Sequence, residues 1–80
     1  MAREMEFKME IPYEDIVPGK EVTVDESYLQ DGLVVYYTIR PAIAMSKNFR
    51  RQEALACRQG IVKEVRPDGV ATYVTVEFNE

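Results

Sequence analysis

Apolar and charged residues alternate with a period of two at the start of the chain. Apolar side chains occupy positions 5, 7, 9 and 11, and charged side chains occupy positions 6, 8 and 10. Because successive side chains of a strand point to opposite faces, this pattern is typical of a half-buried β-strand. An untied chain end is the alternative interpretation, since terminal residues often fray.

The first half of the chain predicts two more strands. Residues 12–19 contain two prolines and predict a connecting loop. Residues 20–24 then alternate so that Val22 and Val24 share one face. A polar segment follows, and Asp31-Gly32 predicts a turn at its end.

Residues 33–40 are the strongest strand signal, because β-branched and aromatic side chains dominate the run. One face of this strand is wholly apolar and consists of Leu33, Val35, Tyr37 and Ile39. Tyr36 lies on the opposite, mixed face. Pro41 ends the run or places it at a sheet edge.

The last part of the chain predicts a β-hairpin. Residues 60–66 and 70–78 flank the turn sequence Pro67-Asp68-Gly69. Pairing Arg66 with Ala71 gathers most of the large apolar side chains on one face and predicts a four-residue loop, 67–70. This register places Ile61 inward and Tyr73 on the outer face.

Residues 42–59 admit two interpretations. Ser46 is a suitable helix cap, the composition of the following residues favours a helix, and Gly60 stands just past its end. The apolar residues make a poor helical stripe, so an extended loop with a strand beginning near Ala54 is the alternative. We favour a short helix within residues 46–57.

Together these elements predict one small, mostly-β domain over residues 1–80, in which residues 1–17 form a strand or a loosely attached tail. We expect a partly open barrel or bent antiparallel sheet of about five strands, with one short helix near residues 46–57. A chain of 80 residues builds only one thin core. The predicted core consists of Val22, Val24, Leu33, Val35, Tyr37, Ile39, Ile61, Val65, Val74, Val76 and Phe78.

Three segments carry a resemblance to a known family: PGKEVTV at residues 18–24, GIVKEV at 60–65 and YVTVEF at 73–78. Their order, with a long strand between the first two, resembles the small SH3-like barrels of the KOW and Tudor kind over residues 18–78. The resemblance implies a barrel that binds nucleic acid, ribosomal components or peptides through loops at one rim. Residues 42–59 are longer than the connections typical of such barrels, so no binding residue is carried over.

The composition argues against catalysis. The chain has no histidine and one cysteine, so it lacks the commonest general base and cannot form an internal disulfide. One thiol without histidine cannot make a Cys/His zinc site. We therefore predict a protein that is not an enzyme and that has no cofactor or metal. Since no apolar run is long enough for a membrane span or a signal peptide, a cytoplasmic location is expected.

Charge is distributed unevenly along the chain. The net charge is −4 overall, but it is −6 over residues 1–39, +5 over residues 40–66 and −3 over residues 67–80. The basic segment and the aromatic residues near it supply the candidate binding residues. These are Arg40, Lys47, Phe49, Arg50, Arg51, Arg58, Lys63, Arg66, Tyr36 and Tyr73.

Three interpretations of the basic segment remain open. Arginine and tyrosine are common anchors of protein interfaces. Arginine also contacts phosphates, and aromatic side chains stack on bases. Alternatively, the cations pair with the acidic first half of the chain. Because the whole chain is acidic, we predict a non-catalytic interaction module within a larger protein assembly, as a monomer or weak homodimer. RNA or DNA binding through residues 40–66 is the alternative.

Overall fold

The computed structural model describes residues 2–10, 14–40 and 44–79. Predictions for positions 11–13 and 41–43, including the one for Pro41, lie outside the described residues. Two 3-10 turns, Gln30–Gly32 and Arg51–Glu53, are the helical elements of the described ranges. The strands in these ranges are β1 (Ala2–Met9), β2 (Glu21–Leu29), β3 (Val34–Arg40), β4 (Ala44–Ser46), β5 (Phe49–Arg50), β6 (Gln59–Asp68) and β7 (Ala71–Asn79).

The strands form one antiparallel sheet that closes on itself. The order is β2-β6-β7-β1-β4-β3, and β3 pairs again with β2. The two short strands β4 and β5 pair with successive parts of β3, while the other five are seven residues or longer. The prediction of a small, mostly-β, barrel-like sheet is therefore confirmed.

The core lies inside this ring and consists mainly of alternate residues of the five long strands. β1 pairs with β7 at eight positions and with β4 at three, which supports the strand interpretation of the N-terminal alternation. The apolar side chains buried from these five strands are Met5, Phe7, Met9, Val22, Val24, Val35, Tyr37, Ile39, Val62, Ala71, Val74, Val76 and Phe78.

β2 is longer than predicted, because residues 25–29 continue the strand and pair with β3. The turn at Asp31-Gly32 is confirmed, since Gln30, Asp31 and Gly32 all have positive φ. Leu33 was predicted in the core, but it is 66% exposed. Its φ and ψ are −78° and −23°, so its backbone is not extended. Leu33 therefore does not belong to the strand in which alternate residues, beginning with Val35, are buried.

The register of the C-terminal hairpin also differs from the prediction. Asp68, not Arg66, pairs with Ala71, which leaves a two-residue turn with Gly69 at positive φ. A β-bulge then shifts the register between Val62 and Glu64. A bulge adds one residue to one strand, so Val62 is buried while Ile61, predicted in the core, is 47% exposed.

Val65 keeps the inward position that was predicted for it, because it pairs with the buried Val74. It is only partly buried and packs against the edge of the core. Pro67 lies within β6, opposite Thr72, rather than in the loop.

The short helix favoured for residues 46–57 is reduced to the 3-10 turn Arg51–Glu53. Ser46 lies in β4, where its hydroxyl oxygen accepts a hydrogen bond from the Tyr37 N–H (2.9 Å) instead of capping a helix. The alternative strand from Ala54 is also wrong, since β6 begins at Gln59. Tertiary contacts override the helix-favouring composition, because Leu55 of this segment is buried in the core.

Candidate functional site

Three of the candidate arginines are paired with acidic residues from the first half of the chain. Arg40 binds Asp25, Arg58 binds Glu26 at 3.1 Å and Arg66 binds Glu6 at 3.2 Å. The first two pairs involve neighbouring residues of β2, whereas Arg66 and Glu6 lie on β6 and β1, so the basic segment does not form one continuous surface. The Arg40 and Arg66 pairs are exposed on both sides and contribute little to stability, but all three pairs neutralise the charges involved.

Tyr73 and Lys63 lie away from the candidates near β5. The guanidinium of Arg66 lies 5.3 Å from the centre of the Tyr73 ring, on the outward-facing row of β7, β6 and β1. Lys63 is the exposed residue at the bulge of β6. Neither residue is near the tip of the β2–β3 hairpin.

The remaining cations, Lys47, Arg50 and Arg51, lie in and on either side of β5, which runs beside β3. All three side chains are exposed, and none forms an ion pair with another described residue. Arg50 stands opposite Val34 of β3. The Arg51 N–H donates to the Leu33 carbonyl at 3.1 Å, and the Arg51 guanidinium lies close to Gly32.

Apolar side chains lie beside Arg50 and Arg51 at the tip of the β2–β3 hairpin. Leu29, Val34 and Arg50 are consecutive cross-strand neighbours on the outer face of the sheet. Tyr36 lies on the same outer face, two residues along β3, and it is half-buried. We use the name hairpin surface for the set Leu29, Leu33, Val34, Tyr36, Arg50 and Arg51.

The backbone of the hairpin tip is unusual. Gln30 and Asp31 have φ values of 51° and 57°, in the left-handed region that residues with a Cβ seldom occupy. Two such residues in succession are held only where the surroundings determine the conformation. Here the Leu33 N–H donates to the Gln30 carbonyl and the Arg51 N–H to the Leu33 carbonyl, each at 3.1 Å. The tip therefore presents Leu29 and Leu33 on a constrained backbone.

A polar cluster centred on Glu26 of β2 and Tyr37 of β3 fixes the segment that follows Arg51. The Tyr37 hydroxyl donates to the Glu26 carboxylate (2.6 Å) and accepts from the Leu55 N–H (2.7 Å). Tyr28 and Arg58 donate to the same carboxylate, whose side chain is only 6% exposed. Three separate parts of the chain thus meet at one buried carboxylate.

Burial and hydrogen bonding shift the pKa values of Glu26, Tyr28 and Tyr37 in this cluster, and the pKa of Tyr28 is raised chiefly by its hydrogen bond to Glu26. Burial by itself raises the pKa of Glu26, but hydrogen bonds from Tyr28 and Tyr37 and the charge of Arg58 outweigh it, so the pKa is lowered. The pKa of Tyr37 is raised to about 12, first by burial and then by its hydrogen bond to Glu26. The ionised carboxylate and the neutral phenol therefore stabilise each other.

Phe49 anchors β5, because its side chain packs against the core instead of pointing into solvent. The Phe49 ring lies 6.5 Å from the ring of Tyr37, and the Arg3 guanidinium lies 5.5 Å from the centre of the Phe49 ring. Arg3 also donates to the Glu53 carbonyl at 2.7 Å, while the Glu53 carboxylate accepts from the Arg50 N–H at 3.1 Å. These contacts hold the backbone that carries Arg50 and Arg51.

An open groove of about 230 Å³ lies elsewhere on the ring, where β2, β6 and β7 meet. Glu21 and Glu77 flank the exposed Ile61 there, and the half-buried Cys57 lies beside them. The Cys57 thiol donates to the Gln59 carbonyl at 3.3 Å. Among the described residues, no three His, Cys, Asp or Glu side chains are arranged to hold a metal ion.

Sequence reasoning missed the apolar half of the hairpin surface. It assigned Leu33 to the core and gave Leu29 and Val34 no role. The available signal was the position of two leucines on either side of the polar turn Gln30-Asp31-Gly32, where a buried side chain is unusual. Of the candidates that it named, Tyr36, Lys47, Phe49, Arg50 and Arg51 lie on or beside this surface.

Comparisons of the chain with protein-family models, curated proteins and solved structures find no match. Within the described ranges, no helix has the length and apolar character needed to cross a membrane.

Proposed function

We propose that this chain is a non-catalytic interaction module within a larger protein assembly and that it binds a protein partner through the hairpin surface. The observation that supports this most directly is the exposure of Leu33 (66%) and Leu29 (42%) beside two arginines that form no ion pair with another described residue. Clustered exposed apolar side chains mark interaction sites more often than scattered ones do. The proposed fold relationship to SH3-like barrels is compatible with this function.

The composition of the surface fits a protein interface. Tyrosine and arginine are enriched among the residues that dominate binding energy, and they are most effective in the centre of an apolar patch. Burying the exposed part of one leucine contributes about 1–2 kcal/mol. The constrained tip adds to this contribution, because a surface that is already ordered loses little entropy on binding.

Binding of RNA or DNA is the second candidate function. Tyr36 offers an aromatic face, and Lys47, Arg50 and Arg51 are exposed cations without an ion-pair partner in the described part of the chain. This combination suits a single strand, whose bases stack and whose phosphates contact cations. It is the weaker candidate, because Arg40, Arg58 and Arg66 are already neutralised by carboxylates.

The experiment compares the wild-type chain with Leu33→Asp and Val70→Asp as baits in affinity capture with quantitative mass spectrometry. Leu33 and Val70 are both exposed residues at hairpin turns, so neither change introduces a buried charge. We expect a partner that the wild type and Val70→Asp retain and that Leu33→Asp loses. The same protein set on all three baits would contradict the proposal.

Two further measurements separate the alternatives. If the retained partners disappear after nuclease treatment, nucleic acid rather than protein carries the interaction. Sedimentation over a range of concentrations reports self-association, and a dimer that Leu33→Asp dissociates would identify a second copy of the chain as the partner.

A further inference from the structure

We infer that the partner segment of the hairpin surface is acidic: an extended peptide with an apolar side chain a few residues from an aspartate or glutamate. This inference rests on the proposed function and adds the chemistry of the partner to it. Its basis is the contrast between the two arginines of the surface and the other arginines of the chain.

Within the described ranges, carboxylates neutralise three arginines of the basic segment but form no ion pair with Arg50 or Arg51. Arg40, Arg58 and Arg66 each bind a carboxylate. The Glu53 carboxylate accepts from the Arg50 backbone N–H rather than from its guanidinium. Asp31 is the other exposed carboxylate of the tip. Both charged side chains of the hairpin surface itself are therefore cationic, in a chain whose net charge is −4.

The geometry of the surface sets the spacing expected in the partner. Leu29, Val34 and Arg50 follow one another across three adjacent strands. Neighbouring strands are about 4.8 Å apart, so the row is roughly 10 Å long. An extended peptide rises about 3.3 Å per residue. A peptide along the row therefore places its carboxylate about two to four residues from the apolar side chain that covers Leu29.

An acidic peptide fits this surface better than a nucleic acid does. Leu29, Leu33 and Val34 are aliphatic and offer no ring for stacking, whereas an aliphatic or aromatic side chain packs against them. A long polyanion is also repelled by the acidic remainder of the chain. A short acidic segment interacts electrostatically mainly with the charges within about 8–10 Å, the screening length in physiological salt. Arginine forks bind carboxylates with two parallel hydrogen bonds, which adds specificity.

The test is selection of a random twelve-residue peptide library on the immobilised full-length chain, followed by amide NMR mapping of the selected peptides. Arg51→Glu is the test variant and Lys63→Glu is its control. Both replace an exposed cation that has no ion-pair partner among the described residues, and both change the net charge equally. NMR spectra of the two variants establish that each remains folded.

We expect selected peptides that pair an apolar residue with Asp or Glu two to four residues away and that shift amides of the hairpin surface. Arg51→Glu weakens their binding by about tenfold, since an attraction becomes a repulsion. Lys63→Glu changes it less than about twofold. The effect of Arg51→Glu also diminishes as salt concentration rises.

Four other results overturn the inference. Peptides that bind the hairpin surface without acidic residues, or that respond equally to both variants, refute the acidic partner but leave the proposed function standing. Failure to select any peptide that maps to this surface refutes both. Tighter binding of a twelve-nucleotide mixed-sequence single-stranded RNA to the same amides refutes both and favours the nucleic-acid alternative.

Discussion

Replacement of Tyr37 by Phe tests whether the buried polar cluster fastens the segment after Arg51 to the ring. The substitution removes one hydroxyl and leaves the ring in the core. That hydroxyl donates to Glu26 at 2.6 Å and accepts from the Leu55 N–H at 2.7 Å. Tyr37→Phe therefore deprives a buried N–H of its acceptor and a largely buried carboxylate of one of its donors.

The expected loss of stability follows from these two contacts. A buried donor left without a partner costs about 1–3 kcal/mol, and a hydrogen bond to a charged group contributes about 1.5–3 kcal/mol. Tyr28 and Arg58 still donate to Glu26, so the second loss is partly offset. We expect Tyr37→Phe to lower the free energy of unfolding by about 3 kcal/mol, a large part of the stability of a domain this small.

The measurement is urea unfolding of the wild type, Tyr37→Phe and Tyr36→Phe, monitored by far-ultraviolet circular dichroism. Tyr36 is the matched control, because it precedes Tyr37 on the same strand but faces outward. Its replacement should change stability by less than about 0.5 kcal/mol. If Tyr37→Phe and Tyr36→Phe unfold at the same midpoint, the cluster does not stabilise the fold as we have reasoned.

Three further predictions concern pH and packing. Tyr37 has a folded pKa of about 12, above the unfolded value of about 10. The folded state therefore holds the proton more tightly between these pH values, and stability falls by roughly 2 kcal/mol as pH rises through this interval. Tyr37→Phe removes this fall, and an unchanged alkaline titration in the variant would contradict the assignment. Val74→Asp should abolish cooperative folding, because it buries an unpaired charge. Val70→Asp is the control and should leave folding intact, since Val70 is 96% exposed. Thermal melts distinguish the two variants, and a normal melt for Val74→Asp would contradict the core assignment. Gly60→Ala should lower the free energy of unfolding by about 1–3 kcal/mol. The added Cβ would stand 2.6 Å from a methyl group of Val76 and 2.8 Å from the Glu77 carbonyl oxygen. Urea unfolding measures the change, and a variant as stable as the wild type would show that β7 shifts to accommodate the Cβ without loss of stability.

The strands were the most predictable part of this protein. Alternation with a period of two follows from the geometry of a single strand, so it is visible in the sequence before any partner is known. It located β1, β3 and β7 and correctly assigned Val35, Tyr37, Ile39, Val74, Val76 and Phe78 to the core. The turn at Asp31-Gly32 was predictable for the same reason, since turn chemistry is local.

Two core assignments failed where a local irregularity interrupts the alternation. Leu33 continues the pattern of β3 in the sequence, but its backbone is still in the turn, so its side chain is exposed. Ile61 precedes the bulge in β6. The bulge turns the Ile61 side chain outward and places Val62 in the core instead. Periodicity cannot reveal a bulge or the first extended residue of a strand, because both are decided by pairing with another strand.

The sequence alone determined that this chain is mostly β, that its charge is uneven and which residues are cationic. Only the tertiary structure decided which cations are neutralised and which remain available. Arg58 and Glu26 are 32 residues apart, and Arg66 and Glu6 are 60 apart. Residues 46–57 likewise depend on the distant Tyr37 for the acceptor that fixes Leu55. Contacts at such separations leave no periodic trace in a single sequence, because they arise only when the closing of the sheet brings remote strands together.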